Sequence, residues 1–334
     1  MEMKPSIKLP LAAAALVLVV AAGALLLYWQ WRPVTQGDGA SPAPAAGASA
    51  PGVRSSDKRL FLDALQSDSI TQAAALLAKN PALATVRRTE DGATPLHMAR
   101  SVAMAKLLLA AGADVNARDW HSRATPLRWA AGRLFANNQS ERKLVVFLRP
   151  ISAPETDIFF ATAVGDTAMM DQLLSRDPSL IEKVSSDNDV LYDSSTPLQI
   201  AAYAGQYLAA KLLLDRGADV HNRSGWKNTE ALEKAAWAGN SDVAALLVER
   251  GAKVNGTDKF YEHCPLYAAA MMGRPAIVKT LLAHGAVIKP TLTNEVRNIM
   301  GHMHEDEDSP AAGTIDDYHQ VIALLSATTQ PSAH

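Results

Sequence analysis

The stretch TPLQIAAYAGQYLAAKLLLDRGADV, residues 196–220, carries the signals for two short helices. Thr196 stands before Pro197, and a threonine hydroxyl caps the free N–H groups of a helix start while proline suits its first turn. Ala201 and Ala202 let a neighbouring helix come close, and Gly205 ends the helix in a left-handed conformation. Leu212 to Leu214 give the second helix its buried stripe, and Gly217 closes it. The phrase returns as TPLHMAR from Thr94, TPLRWAAG from Thr125, EALEKAAWAG from Glu230 and CPLYAAAMMG from Cys264. Gly217, Gly251 and Gly285 fall 34 residues apart. A fixed period of that size marks units that hide their apolar faces only by stacking.

These residues resemble the ankyrin repeat. The resemblance rests on Thr94-Pro95-Leu96-His97, Thr125-Pro126-Leu127, and the turns Gly112-Ala113-Asp114-Val115-Asn116, Gly217-Ala218-Asp219-Val220 and Gly251-Ala252-Lys253-Val254-Asn255. It implies an all-α ankyrin-repeat solenoid over residues 58–327, about eight helix-turn-helix-loop units with degenerate ends. The second unit is short between Thr94 and Gly112, which predicts a shortened first helix or turn. The third ends near Pro150 without a Gly-Ala-Asp turn. The first and fourth units share Leu-Leu followed by Pro-x-Leu, at Leu76, Leu77, Pro81 and Leu83 and at Leu173, Leu174, Pro178 and Leu180. His97 matches the family's structural histidine, and Cys264 occupies a threonine cap position as a small buried residue.

The N-terminus differs in kind. Residues 9–31 contain no charged side chain and end in Tyr28, Trp29 and Trp31, enough helix to cross the apolar thickness of a bilayer. A cleaved signal peptide is the rival reading, but its apolar region is ordinarily shorter. Lys4 and Lys8 precede the segment, while Arg32 alone follows closely, so residues 1–8 are expected in the cytoplasm and the bulk of the chain across the membrane. This reads as a single-pass inner-membrane signal anchor with a periplasmic repeat domain. Residues 32–57, rich in Pro, Ala, Gly and Ser, form a flexible linker, and 328–334 a disordered tail.

A net charge of −2 gives no case for nucleic-acid binding, and one cysteine forms neither an internal disulfide nor a cysteine-rich zinc site. No nucleophile elbow, phosphate loop, zincin motif or dinucleotide turn is present, so the chain is not expected to be an enzyme or to need a cofactor. What remains is a surface for a protein partner. Trp120, Tyr192, Trp226, Phe260 and Tyr261 fall in the loops between units, and Tyr203, Trp237 and Met271, with Trp129 nearby, fall on the first helices that line the concave face. His302 and His304, followed by an acidic run, form the one metal-like cluster, and a stress-related protein with a C-terminal metal site is the alternative. By analogy with bacterial ankyrin proteins, the partner role is that of an immunity or inhibitor protein, or of an accessory protein such as those accompanying catalases.

Overall fold

The computed structural model describes residues 53–134, 139–185, 194–224, 229–255, 264–302 and 313–328. The apolar segment 9–31, most of the linker and residues 329–334 lie outside these. Among the described residues no helix is long and apolar enough to cross a membrane.

Sixteen α-helices, two short 3-10 turns and no strands are described, and the α-helices form eight successive pairs. The pairs are α1 (Ser55–Gln66) with α2 (Ile70–Lys79), α3 (Pro95–Met98) with α4 (Val102–Ala110), α5 (Pro126–Gly132) with α6 (Gln139–Leu148), and α7 (Ile158–Val164) with α8 (Thr167–Arg176). They continue as α9 (Pro197–Ala204) with α10 (Tyr207–Asp215), α11 (Ala231–Ala238) with α12 (Ser241–Glu249), α13 (Pro265–Met271) with α14 (Pro275–Ala283), and α15 (Leu292–His302) with α16 (Ile315–Thr328). First helices pack on first helices along the stack, and second on second at every step except α6 to α8, where there is no comparable packing. The opening helix begins at Ser55, inside the stretch read as linker, where Asp57 places a negative charge in the first turn.

The capping signals work as their chemistry requires. Thr125 and Thr196 accept hydrogen bonds from the Arg128 and Gln199 amides. Cys264 and Glu230, at the same position, make no such cap. The shortened second unit has a first helix of 4 residues, ended where Ala99 turns to ψ 134. The asparagine of the turn motif ties units together: Asn116 accepts from the Ala153 amide at 2.6 Å, and Asn255 from the Val287 amide at 2.8 Å.

The likeness of units one and four is geometric. Each ends its second helix in a 3-10 turn, Pro81–Thr85 or Pro178–Glu182. Asn80 and Asp177 open these turns at nearly the same backbone angles (φ −146, ψ 92 and φ −141, ψ 92) and accept from the amides of Ala82 and Ser179.

The apolar interior forms two large bodies and a small third cluster of Ala93, Ala124 and Trp129. The first gathers Phe61, Leu83, Met104, Leu127, Leu144 and Leu148; the second gathers Met170, Leu213, Leu232, Leu247, Leu281 and Val321. They meet at α7, where Phe160 joins the first body and Phe159 the second. Polar groups bridge the same place. Arg149 pairs with Asp166, Arg128 pairs with Asp157, and Arg142 donates to the Ala204 carbonyl at 3.3 Å.

At the far end Tyr318 of α16 is fully buried, and its hydroxyl donates to the Met271 carbonyl at 2.8 Å. Burial pushes its pKa up to about 12, so the phenol stays a donor.

Candidate partner-binding surface

In three of the units the first helix is held to the next unit by the side chain three residues after its cap. The Thr94 amide donates to His97 Nδ1 at 3.1 Å, so the ring proton resides on Nε2, which donates to the Ala124 carbonyl at 3.1 Å. His97 is fully buried, and burial lowers its pKa, which keeps the ring neutral. In the fifth unit Gln199 Oε1 accepts from the Thr196 amide at 3.0 Å, and its Nε2 donates to the carbonyls of Asn222 and Thr229 at 3.0 and 2.9 Å. Arg128, in the third unit, reaches Asp157 and Glu155 of the fourth. These bonds fix the interval from one unit to the next, and so the spacing of whatever the first helices display.

What they display along one row is Tyr203, Trp237 and Met271, one per unit at an interval of 34 residues. All three are half-buried. Trp237 and Met271 rest against the second apolar body. The backbone beneath the row is pinned by the following unit: Asn240 donates to the Tyr203 carbonyl at 2.9 Å, and Tyr318 to that of Met271. The row is therefore a set of partly open apolar side chains on a fixed support.

Trp129 does not belong to that row. Counted from its cap, it stands where Ile200 stands in the fifth unit, three residues before the Tyr203 position. Only 7% of it is exposed. Its indole N–H donates to Asp119 at 2.7 Å, its ring meets His97 edge-on at a centroid distance of 5.4 Å, and the Arg88 guanidinium lies over its face at 5.7 Å. The residue is a packed strut between the second and third units rather than an open anchor.

Trp120 sits at a loop tip, 37% exposed. Its amide donates to the Asp91 carbonyl at 2.7 Å, and its ring covers Gly92 of the preceding loop. Gly92 has φ +71, and a Cβ there would fall 2.2 Å from the indole, so both the turn and the aromatic contact require glycine.

Tyr192, Trp226, Phe260, Tyr261 and His304 lie outside the described residues, as does the side chain of His302, the last residue of α15. Among the described residues, no group of three or more His, Cys, Asp or Glu is placed to hold a metal ion.

The sequence reading missed Asp119. Its carboxylate, 1% exposed, accepts from the Ser122 amide at 2.7 Å, the Ser122 hydroxyl at 2.8 Å and Trp129. It organises the whole 117–124 loop. An Asp three residues before a Ser in a tight loop is the only local signal, and the third partner comes from the next helix.

The family models agree with this architecture. The family described as "Ankyrin repeats (3 copies)" matches residues 158–258, and "Ankyrin repeat" matches 91–120 and 261–295. The serine/threonine-protein kinase VIK of Arabidopsis thaliana is similar at 38% identity over 65 residues, 20% of this chain and 14% of the kinase. The chain thus spans about a seventh of that relative's length, within the repeats. The crystal structure of the human ASB11 ankyrin repeat domain aligns with 82% of this chain and 99% of its own at 20% identity and a TM-score of 0.39.

Proposed function

We propose, for a chain that belongs to the ankyrin-repeat family, a non-catalytic role in which the stack holds a protein partner. Ankyrin repeats are protein-protein interaction modules, and the observation that supports a contact on the first helices is the half-open row Tyr203, Trp237 and Met271 on its pinned backbone. Aromatic side chains held in place lose little freedom when a partner covers them. We infer that residues 9–31 anchor the chain in the inner membrane, with the repeats in the periplasm. The uncharged run of residues and the lysines before it support this reading. An inhibitor, immunity or accessory role fits a tethered module that meets one partner.

The test is capture by cross-linking of membrane-associated and periplasmic proteins with the full chain in neutral detergent. Trp237→Ala and Tyr203→Ala should each lower recovery of the specific partner at least about tenfold at unchanged melting temperature. Recovery equal to that of the parent from both variants contradicts the row as the contact. A C-terminal reporter active only in the cytoplasm contradicts the topology.

A further inference from the structure

The loops at the N-terminal end of the stack gather arginines that no carboxylate neutralises. Arg87 donates to the Gly92 carbonyl at 2.6 Å and to the Arg118 carbonyl at 2.9 Å. Arg118 donates to the Arg123 carbonyl at 2.7 Å. The three are thus linked tip to tip through backbone oxygens, and among the described residues none of them forms an ion pair. The nearby acids are engaged elsewhere: Asp91 pairs with Arg88, Glu90 lies 3.8 Å from Arg88, and Asp119 is buried beneath the loop. Arg118 and Arg123 are exposed, and the exposed His121 and Trp120 lie between them. Arg123 itself holds φ +58, a conformation that turns a non-glycine residue at the loop tip and is kept by the surrounding bonds.

The charge of the N-terminal part of the array has the same sense. Residues 53–157 carry 15 Lys and Arg against 10 Asp and Glu, a net +5. Residues 158–328 carry 14 against 22 in the sequence, and 12 against 13, a net −1, among the described residues. The excess of basic residues is thus confined to the N-terminal part of the stack.

The geometry points to this arginine tip as the docking site for an acidic segment of the partner polypeptide, with Arg118 and Arg123 engaging its carboxylates and Trp120 covering an adjacent apolar side chain. Guanidinium groups are built to pair with carboxylates, and a rigid indole beside them is the usual companion of an interface anchor. A long polyanion is the poorer occupant. A nucleic acid or an anionic membrane is held through many phosphates spread over an extended basic surface, whereas the described residues beyond 157 carry no net positive charge and the three joined arginines offer only a short site. The inference rests on the protein-partner reading but uses a surface separate from the Tyr203–Trp237–Met271 row.

The experiment titrates the full chain in neutral detergent, at low salt, against fluorescently labelled oligoglutamate, oligolysine and single-stranded DNA of equal length. Oligoglutamate should bind saturably, and more tightly than either comparator. Arg123→Gln should weaken it at least about threefold and Arg123→Glu at least about tenfold, with unchanged melting temperature and less binding at high salt. Trp237→Ala should leave this binding intact. Absence of saturable oligoglutamate binding, equal binding by the Arg123→Glu variant, or tighter binding of DNA each overturns the proposal. If oligoglutamate fails while partner recovery still depends on Trp237, the tip assignment falls alone. If recovery is independent of Trp237 while oligoglutamate binds through Arg123, the row falls instead.

Discussion

Gln199 makes in the fifth unit the two bonds that His97 makes in the second: each accepts from the amide of its own cap threonine and donates to a carbonyl of the following unit. A neutral imidazole and a primary amide are equivalent here, because both present one acceptor and one donor on opposite sides. They differ in that only the imidazole titrates near neutrality.

His97→Gln should therefore fold with stability within about 1 kcal/mol of the parent, whereas His97→Ala, which leaves the Thr94 amide and the Ala124 carbonyl unsatisfied, should lose about 2–3 kcal/mol. The pH dependence separates them further. Because burial holds His97 below its ordinary value of 6.5, the unfolded chain binds this proton more readily. Its contribution is complete above that value and is lost as the pH falls through the depressed one. Urea melts at falling pH should show a stability loss in the parent that is smaller in His97→Gln. Identical profiles contradict the assignment.

Gly92 and Gly251 both take positive φ, +71 and +93, but only Gly92 lies beneath a ring. Gly251→Ala meets nothing within 4 Å and should cost about 1 kcal/mol for its backbone alone. Gly92→Ala must also displace Trp120, and should cost more and shift tryptophan emission to the red. Equal melting temperatures and unshifted emission contradict the stacking of Trp120 on Gly92.

The two apolar bodies, joined through polar contacts at α7, should open separately. Hydrogen exchange of the full chain is expected to show amides of residues 53–148 and of 167–328 opening in distinct cooperative steps. One cooperative step embracing both contradicts the division.

Much of this was readable from local chemistry. A threonine before a proline, a left-handed glycine and a leucine run act within a few residues, so the helix pairs, their interval and the buried place of Cys264 followed from them. The short second unit was visible as a deletion, and the kinship of units one and four as a shared Pro-x-Leu. The inward turn of Trp129 was not legible, because it depends on Asp119 ten residues earlier and on a three-residue offset from the Tyr203 position. The aromatic content of the loops drew attention to Trp120 and away from Arg87, Arg118 and Arg123, whose joining requires the loops of adjacent units to be set side by side. The helix start at Ser55 was hidden by a small-residue composition that linker and first turn share.

The most direct test of the account places a photo-crosslinking amino acid singly at Trp237, on the half-open row, and at Val146, an exposed apolar residue on the second helix of the third unit. The account predicts a discrete adduct with one partner protein from position 237 and none from position 146. The same adduct from position 146, or none from position 237, would contradict it.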